Sequence, residues 1–114
     1  MDMQERTIGS VTILDLTGRI TAAGDSSLRD KIHSLVFQEK RHVLLNLAGV
    51  PTMDSSALGE LVAAHTTVSR AGGQIKLVNL TKRIHDLLTI TRLATVFDTF
   101  DTEADALASF HVGV

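Results

Sequence analysis

Residues 50–65 read VPTMDSSALGELVAAH, and how this stretch folds governs the reading of everything around it. The six residues 42–47, HVLLNL, form an almost unbroken apolar run of strand length, as expected of a strand covered on both faces. Pro51 interrupts that run. Asp54, Ser55 and Ser56 then stand at a corner where each is a preferred helix N-cap. Leu58, Leu61, Val62, His65 and Val68 follow at helical spacing, so the corner opens an amphipathic helix. Gly72 and Gly73 stop it ahead of QIKLVNL, residues 74–80, which reads as another strand.

The same alternation continues toward the C-terminus. Thr81 caps a third helix that turns Ile84, Leu87 and Leu88 inward, and the β-branched TVF at 95–97 reads as a last strand. Thr102, Glu103, Ala104 and Asp105 resemble a capping box that opens a final helix through Ala106, Leu107 and Phe110. Toward the N-terminus, QERTI (4–8) and VTILDL (11–16) read as two strands around a tight turn at Gly9 and Ser10. Residues 18–24 form a connecting loop. Asp25, Ser26 and Ser27 are alternative caps for a first helix with Leu28, Ile32, Leu35 and Val36 on one face. Strand and helix alternating after about residue 40 imply parallel strands joined by right-handed crossovers. The expected fold class is therefore α/β. One domain over residues 1–114 has a mixed, mostly parallel sheet, an N-terminal hairpin and about four helices.

Composition narrows the function classes. A chain of 114 residues with 44% hydrophobic and 21% charged residues is an ordinary soluble globular domain, long enough to bury one core. It has no cysteine, so disulfides and thiolate metal sites are excluded. A net charge of −2 supplies no basic field for nucleic acid, and the absence of Trp and Tyr removes most stacking platforms. The start, MDMQERTIGS, lacks a secretory signal, and no apolar run approaches the ~20 residues a membrane span needs. The expectation is a cytoplasmic protein without cofactor or metal, and without nucleic-acid or membrane partner.

Each candidate chemistry has a plainer competitor. Neither glycine-rich phosphate signature occurs, and Gly72 and Gly73 end a helix where a phosphate cradle would begin one. Ser55 and Ser56 occupy a strand-to-helix corner, as a hydrolase nucleophile would, but the flanking glycines of a nucleophile elbow are missing. The five histidines (33, 42, 65, 85 and 111) are scattered, and His65 lies on the apolar stripe of its helix. No histidine pair or carboxylate cluster has metal-ligand spacing. Asp98, Asp101, Glu103 and Asp105 read as a solvated acidic helix start. Lys82 and Arg83 are a misfit, since cations in a first turn oppose the helix dipole by a few tenths to ~1 kcal/mol each. A solvated face explains them, and so does contact with an anion or a partner.

The corner itself has two readings. One of Asp54, Ser55 and Ser56 must cap the helix, but a cap needs only one side chain. At least one hydroxyl is left without an internal task, at a helix start whose N–H groups and dipole favour an added anion. A phosphate there would be tolerated by the fold and would add ~2 negative charges to the surface. On these grounds a plain cap and a phosphorylation switch stand about level.

Three segments taken together break the tie. NLAGVPTMDSSALGELV, AGGQIKLVNLTKRIHDLLTITRL and VFDTFDTEADAL resemble, in order and at family spacing, the STAS domain of bacterial anti-sigma factor antagonists. The likeness covers nearly the whole chain. It implies a non-enzymatic, phosphorylation-gated switch that binds an anti-sigma factor serine kinase, thereby releasing a sigma factor and controlling transcription. The kinase then phosphorylates the corner, and a phosphatase resets it. The family's acceptor carries over to Ser56, with Ser55 the alternative. Asp54, Ser55, Ser56, Leu58 and Gly59 would form the partner-binding surface, in a monomer or weak dimer. A scaffold or adaptor module of a larger signalling complex, without regulated phosphorylation, is the competing role. Two positions depart from the family pattern. Ala57 stands where glycine is usual, and GRIT at 18–21 replaces an acidic loop, which removes two negative charges beside Ser56.

Overall fold

A computed structural model of the chain describes residues 2–19 and 27–110. The N-terminal hairpin pairs β1 (Asp2–Ile8) with β2 (Val11–Thr17), antiparallel, around Gly9 at φ 59°. There follow α1 (Ser27–Phe37), β3 (His42–Gly49), α2 (Ser55–Arg70), β4 (Gln74–Val78) and α3 (Lys82–Ile90). A short 3₁₀ turn (Leu93–Thr95), β5 (Asp98–Phe100) and α4 (Glu103–Ser109) complete the described chain. The α/β class, the hairpin and the helices expected from the sequence are all present. The candidate caps Asp25 and Ser26, and Ile20 and Thr21 of the 18–21 loop, lie outside the described residues.

The strands lie in chain order, β1-β2-β3-β4-β5, and every pair after the hairpin is parallel. Right-handed crossovers that always advance in one direction deposit their helices on one face. That face holds the main core, where Leu14, Leu16, Val43, Leu45, Leu47, Ile75 and Leu77 of the sheet meet apolar residues of α1, α2 and α3. The alternate positions Val11, Ile13, Leu44 and Val78 point to the other face, which α4 covers with Ala106 and Phe110. HVLLNL is thus buried from both sides, as its composition requires. A sheet whose order never reverses also lacks the switch-point crevice where doubly wound sheets bind nucleotides.

Polar side chains hold α4 at both ends. Arg6 donates to Asp15 at 2.6 and 2.9 Å and to Glu103 at 2.5 Å, while Asn46 donates to Asp15 at 2.8 Å. The hydrogen bonds from Arg6, then that from Asn46, hold the Asp15 carboxyl below its ordinary range, and the two carboxylates hold Arg6 charged more firmly than usual. Glu103 is therefore a paired residue of the fold and not part of a purely solvated acidic start. At the far end, buried Lys76 donates to the Ser109 carbonyl at 3.0 Å and hydroxyl at 2.9 Å, and its Nζ lies 4.8 Å from the Phe110 ring centre.

The last strand departs from the sequence reading. Residues 95–97 do not form it. Arg92 takes a left-handed φ of 63°, the chain makes the 3₁₀ turn, and Phe97 plugs the main core before Asp98–Phe100 pairs with β4. The apolar content of TVF reflects one buried plug, which looks the same as a strand at this length. β4 likewise ends at Val78, because Asn79 adopts φ 60°. Gly73 does more than stop α2. A Cβ there would lie 2.4 Å from the Arg41 carbonyl oxygen, to which Gln74 donates at 2.7 Å.

Candidate functional site

The corner quoted first lies at the carboxyl end of β3, where three segments fasten it. The Val50 N–H donates back to the Leu47 carbonyl at 3.0 Å, Gly18 donates to the Gly49 carbonyl at 2.9 Å, and the Thr81 hydroxyl donates to the Pro51 carbonyl at 3.3 Å. Thr81 also accepts the Ile84 N–H, so one hydroxyl caps α3 and tethers the corner. Met53 is buried in the main core and anchors the turn from beneath. Gly49 is required here, because a Cβ would meet Thr17 Cγ2 at 2.6 Å.

Asp54 is the cap. It is extended (φ −88°, ψ 177°), its Oδ1 accepts the Ala57 N–H at 2.7 Å, and its carbonyl accepts the Leu58 N–H at 3.0 Å. Ser55 and Ser56 are the first two helical residues. Both are exposed, and neither hydroxyl is hydrogen-bonded to another described residue. The dipole and the unbonded N–H groups of the first turn favour negative charge in their vicinity.

The other expected residues divide. Ala57 is fully buried, so its methyl, where the family usually has glycine, points into the core and leaves the surface unaltered. Leu58 is 5% exposed and belongs to the main core. Its expected place on the docking surface is corrected: a residue on the inward stripe of α2 cannot also face a partner. Gly59 is exposed, and a Cβ added to it would meet nothing within 4 Å. A helical glycine costs about 1 kcal/mol relative to alanine, and here no crowding within the fold requires it.

Beside the corner, Thr52 and Met53 face Lys82, Arg83, Asp86, Leu87 and Ile90 of α3 across an open groove of about 540 Å³. Sequence reasoning singled out Lys82 and Arg83 but not the groove, which forms where α3, tied to Pro51 through Thr81, lies beside Thr52 and Met53. The lack of crowding at Gly59 was equally invisible, as was the burial of Lys76. A lysine alternating with Ile75 and Leu77 in a strand was the one signal available for the latter.

Among the described residues, the constellation that hydrolysis needs is not assembled at the corner. Neither Ser55 nor Ser56 hydrogen-bonds to a histidine among the described residues. Ser10 and His42 do approach, at 3.2 Å, but at the opposite, amino end of the parallel strands. His65 packs edge-on against the Phe97 ring at 5.4 Å, a core role. Among the described residues no group of three or more His, Asp or Glu is placed to hold a metal, and no helix is long and apolar enough to cross a membrane.

Comparison with known proteins agrees with this architecture. The family model described as the STAS domain matches residues 2–106. The chain is 32% identical over 85 residues to the anti-sigma-B factor antagonist of Bacillus subtilis (strain 168), covering 75% of this chain and 77% of that protein. To the anti-sigma F factor antagonist of Paenibacillus polymyxa it is 24% identical over 103 residues, covering 90% and 88%. Two solved structures share the fold. One is an anti-sigma factor antagonist from Mycobacterium paratuberculosis (TM-score 0.82, 19% identity, 95% and 92% of the two chains). The other is the Bacillus cell fate determinant SpoIIAA in its phosphorylated form (TM-score 0.72, 19% identity, 94% and 97%).

Proposed function

The chain belongs to the STAS domain family, and from that premise we propose that it is an anti-sigma factor antagonist whose activity is gated by phosphorylation of Ser56. In this reading the unmodified protein, a monomer or weak dimer in the cytoplasm, binds an anti-sigma factor serine kinase. A sigma factor is thereby released. Transfer of phosphate to Ser56, with Ser55 the second choice, ends the complex, and a phosphatase restores it. The whole described chain serves as one binding domain without chemistry of its own.

One observation carries this reading. Asp54 alone satisfies the cap, so two adjacent hydroxyls remain exposed and unbonded at a helix start. A phosphate on Ser56 would add ~2 negative charges where the helix tolerates them, so the fold persists while the surface becomes more negative. A kinase surface already holding nucleotide phosphates would be repelled by that dianion, whereas a bare hydroxyl permits close approach. Gly59, one turn along the same helix and open to solvent, leaves room for a partner's backbone at the corner. Leu58 contributes by fixing the first turn to the core.

The test is intact-mass analysis after incubation with ATP and the anti-sigma-type serine kinases of the protein's own genome, on wild type, Ser55→Ala and Ser56→Ala. A single added phosphate lost only in Ser56→Ala is the expected result. Phosphate that survives in Ser56→Ala but not in Ser55→Ala moves the switch by one residue. No phosphate from any kinase overturns the gating.

A further inference from the structure

The first turn of α3 carries the wrong sign. Lys82 and Arg83 sit at the positive end of the helix dipole, the same turn has no acidic residue, and the last turn has no basic one. Both side chains are exposed. Among the described residues neither forms an ion pair, although Asp86 follows at helical spacing on the same side of α3. Nothing inside the fold explains two cations held against a dipole.

Their surroundings do. Lys82 and Arg83 edge the 540 Å³ groove, whose apolar residues are Met53, Leu87 and Ile90. Met53 and Leu87 are partly or wholly covered by the core, whereas Ile90 is 79% exposed and adds open apolar surface to the groove lining. The groove is open along its length and would leave most of a small ligand in water, whereas small-molecule sites enclose theirs. An apolar floor lined by two cations and one acid, Asp86, keeps a net positive charge and is the complement of a helix that carries acidic residues beside an apolar stripe.

We propose that this groove docks an acidic amphipathic helix of a protein partner. It starts at Thr52 and Met53, immediately before Asp54, so one partner can engage the groove and the corner together. The proposal rests on the reading of the chain as a partner-binding module and is independent of phosphorylation at Ser56.

The probes are synthetic helical peptides of about 16 residues, roughly 24 Å long. One has a leucine stripe flanked by glutamates, one the same stripe flanked by lysines, and one the glutamates with serine in place of leucine. Each is titrated into the isotope-labelled full chain while backbone amide signals are followed. The acidic leucine peptide should shift Met53 and the amides of α3, and bind at least tenfold more tightly than either control. Its affinity should fall with added salt. K82E/R83E should lose about tenfold or more for the acidic peptide and gain for the basic one, and Ile90→Ser should weaken the acidic peptide about tenfold. K82E/R83E places acid at a helix start, so its melting temperature should not fall, and a loss of binding is then a loss of docking. Equal response to acidic and basic peptides, shifts confined elsewhere, or no change in K82E/R83E would overturn the proposal. So would inorganic phosphate or phosphatidylglycerol vesicles that shift the same amides as strongly, since the groove would then read bare anions or lipid. Peptide docking is read on the unphosphorylated chain with no kinase or ATP present, and phosphate uptake at Ser56 separately by intact mass, which separates failure here from failure of the phosphorylation switch.

Discussion

The Asp54 carboxylate accepts the Ala57 N–H at 2.7 Å, and that bond leaves the two serines between them without structural work. Division of labour at the corner is the physical basis of the proposed switch. A side chain needed as a cap cannot be modified without loosening the helix, while an unbonded neighbour can.

Stability should therefore respond unevenly across three adjacent positions. Asp54→Ala is expected to cost about 1 kcal/mol, within the usual range for a lost N-cap, and Asp54→Asn much less. Ser55→Ala and Ser56→Ala should each stay within about 0.5 kcal/mol of wild type. Urea unfolding of the four variants checks this, and a large loss in Ser56→Ala would return that hydroxyl to the fold.

Glycines should separate fold from function. Gly59→Ala meets empty space in a helix and is expected to raise stability by about 0.5–1 kcal/mol, while weakening binding of the proposed kinase partner by filling its approach. Gly73→Ala pushes a Cβ to 2.4 Å from a backbone oxygen and should cost about 1–3 kcal/mol. Thermal melts paired with a binding titration distinguish the two. A Gly59→Ala protein that is both more stable and fully competent would remove Gly59 from the docking surface.

Acid should weaken the fold through its paired carboxylates. Arg6 and then Asn46 hold the Asp15 carboxyl below its ordinary value, and the hydrogen bond from Lys31, with help from Lys40, does the same for Glu5. Such a group binds its proton less readily folded than unfolded. Its contribution is complete above the ordinary carboxylate range near pH 4 and is lost as pH falls through the lower, folded value. Urea midpoints measured from pH 6 down to pH 2 should decline, and less steeply in Asp15→Asn. An unchanged slope in that variant would mean that Asp15 is not among the groups responsible.

Lys76 is expected to tolerate shape-preserving replacement better than truncation. It is 7% exposed, capped by Ser109 and stacked near Phe110. Lys76→Ala opens a cavity beneath α4 and leaves the Ser109 groups without their donor, a loss of about 2 kcal/mol or more. Lys76→Met keeps the stem and should fall within about 1.5 kcal/mol of wild type. Chemical denaturation compares them, and equal losses would show that the ammonium, not the stem, holds α4.

Much of the fold was legible because its signals are local. Thr81 and Thr102 cap as read, accepting the N–H groups of Ile84 and Asp105. Leu58, Leu61 and Val68 face inward as their spacing requires, and the hairpin turns at Gly9. The last strand was misplaced because three apolar residues cannot reveal whether they pair or plug. Phe97 fills a hole between helices, whereas the polar Asp98 and Thr99 form the ladder with β4. The site was half legible. Its position at the corner followed from the chain's own periodicity, but Leu58 was given an outward role that its stripe already denied.

By itself, the sequence determined the order of strands and helices, the caps Thr81 and Thr102, the one-sided stripes and therefore a mixed, mostly parallel sheet. These depend on hydrogen bonds and side-chain spacing within a few residues, which the order of amino acids specifies directly. Only the tertiary structure decided that Asp54 and not a serine is the cap, that Gly59 opens onto empty space, that Lys76 is buried under α4, and that Lys82 and Arg83 border a groove with Ile90. Burial and exposure are set by neighbours brought from distant parts of the chain, and spacing along one segment carries no record of what packs across from it.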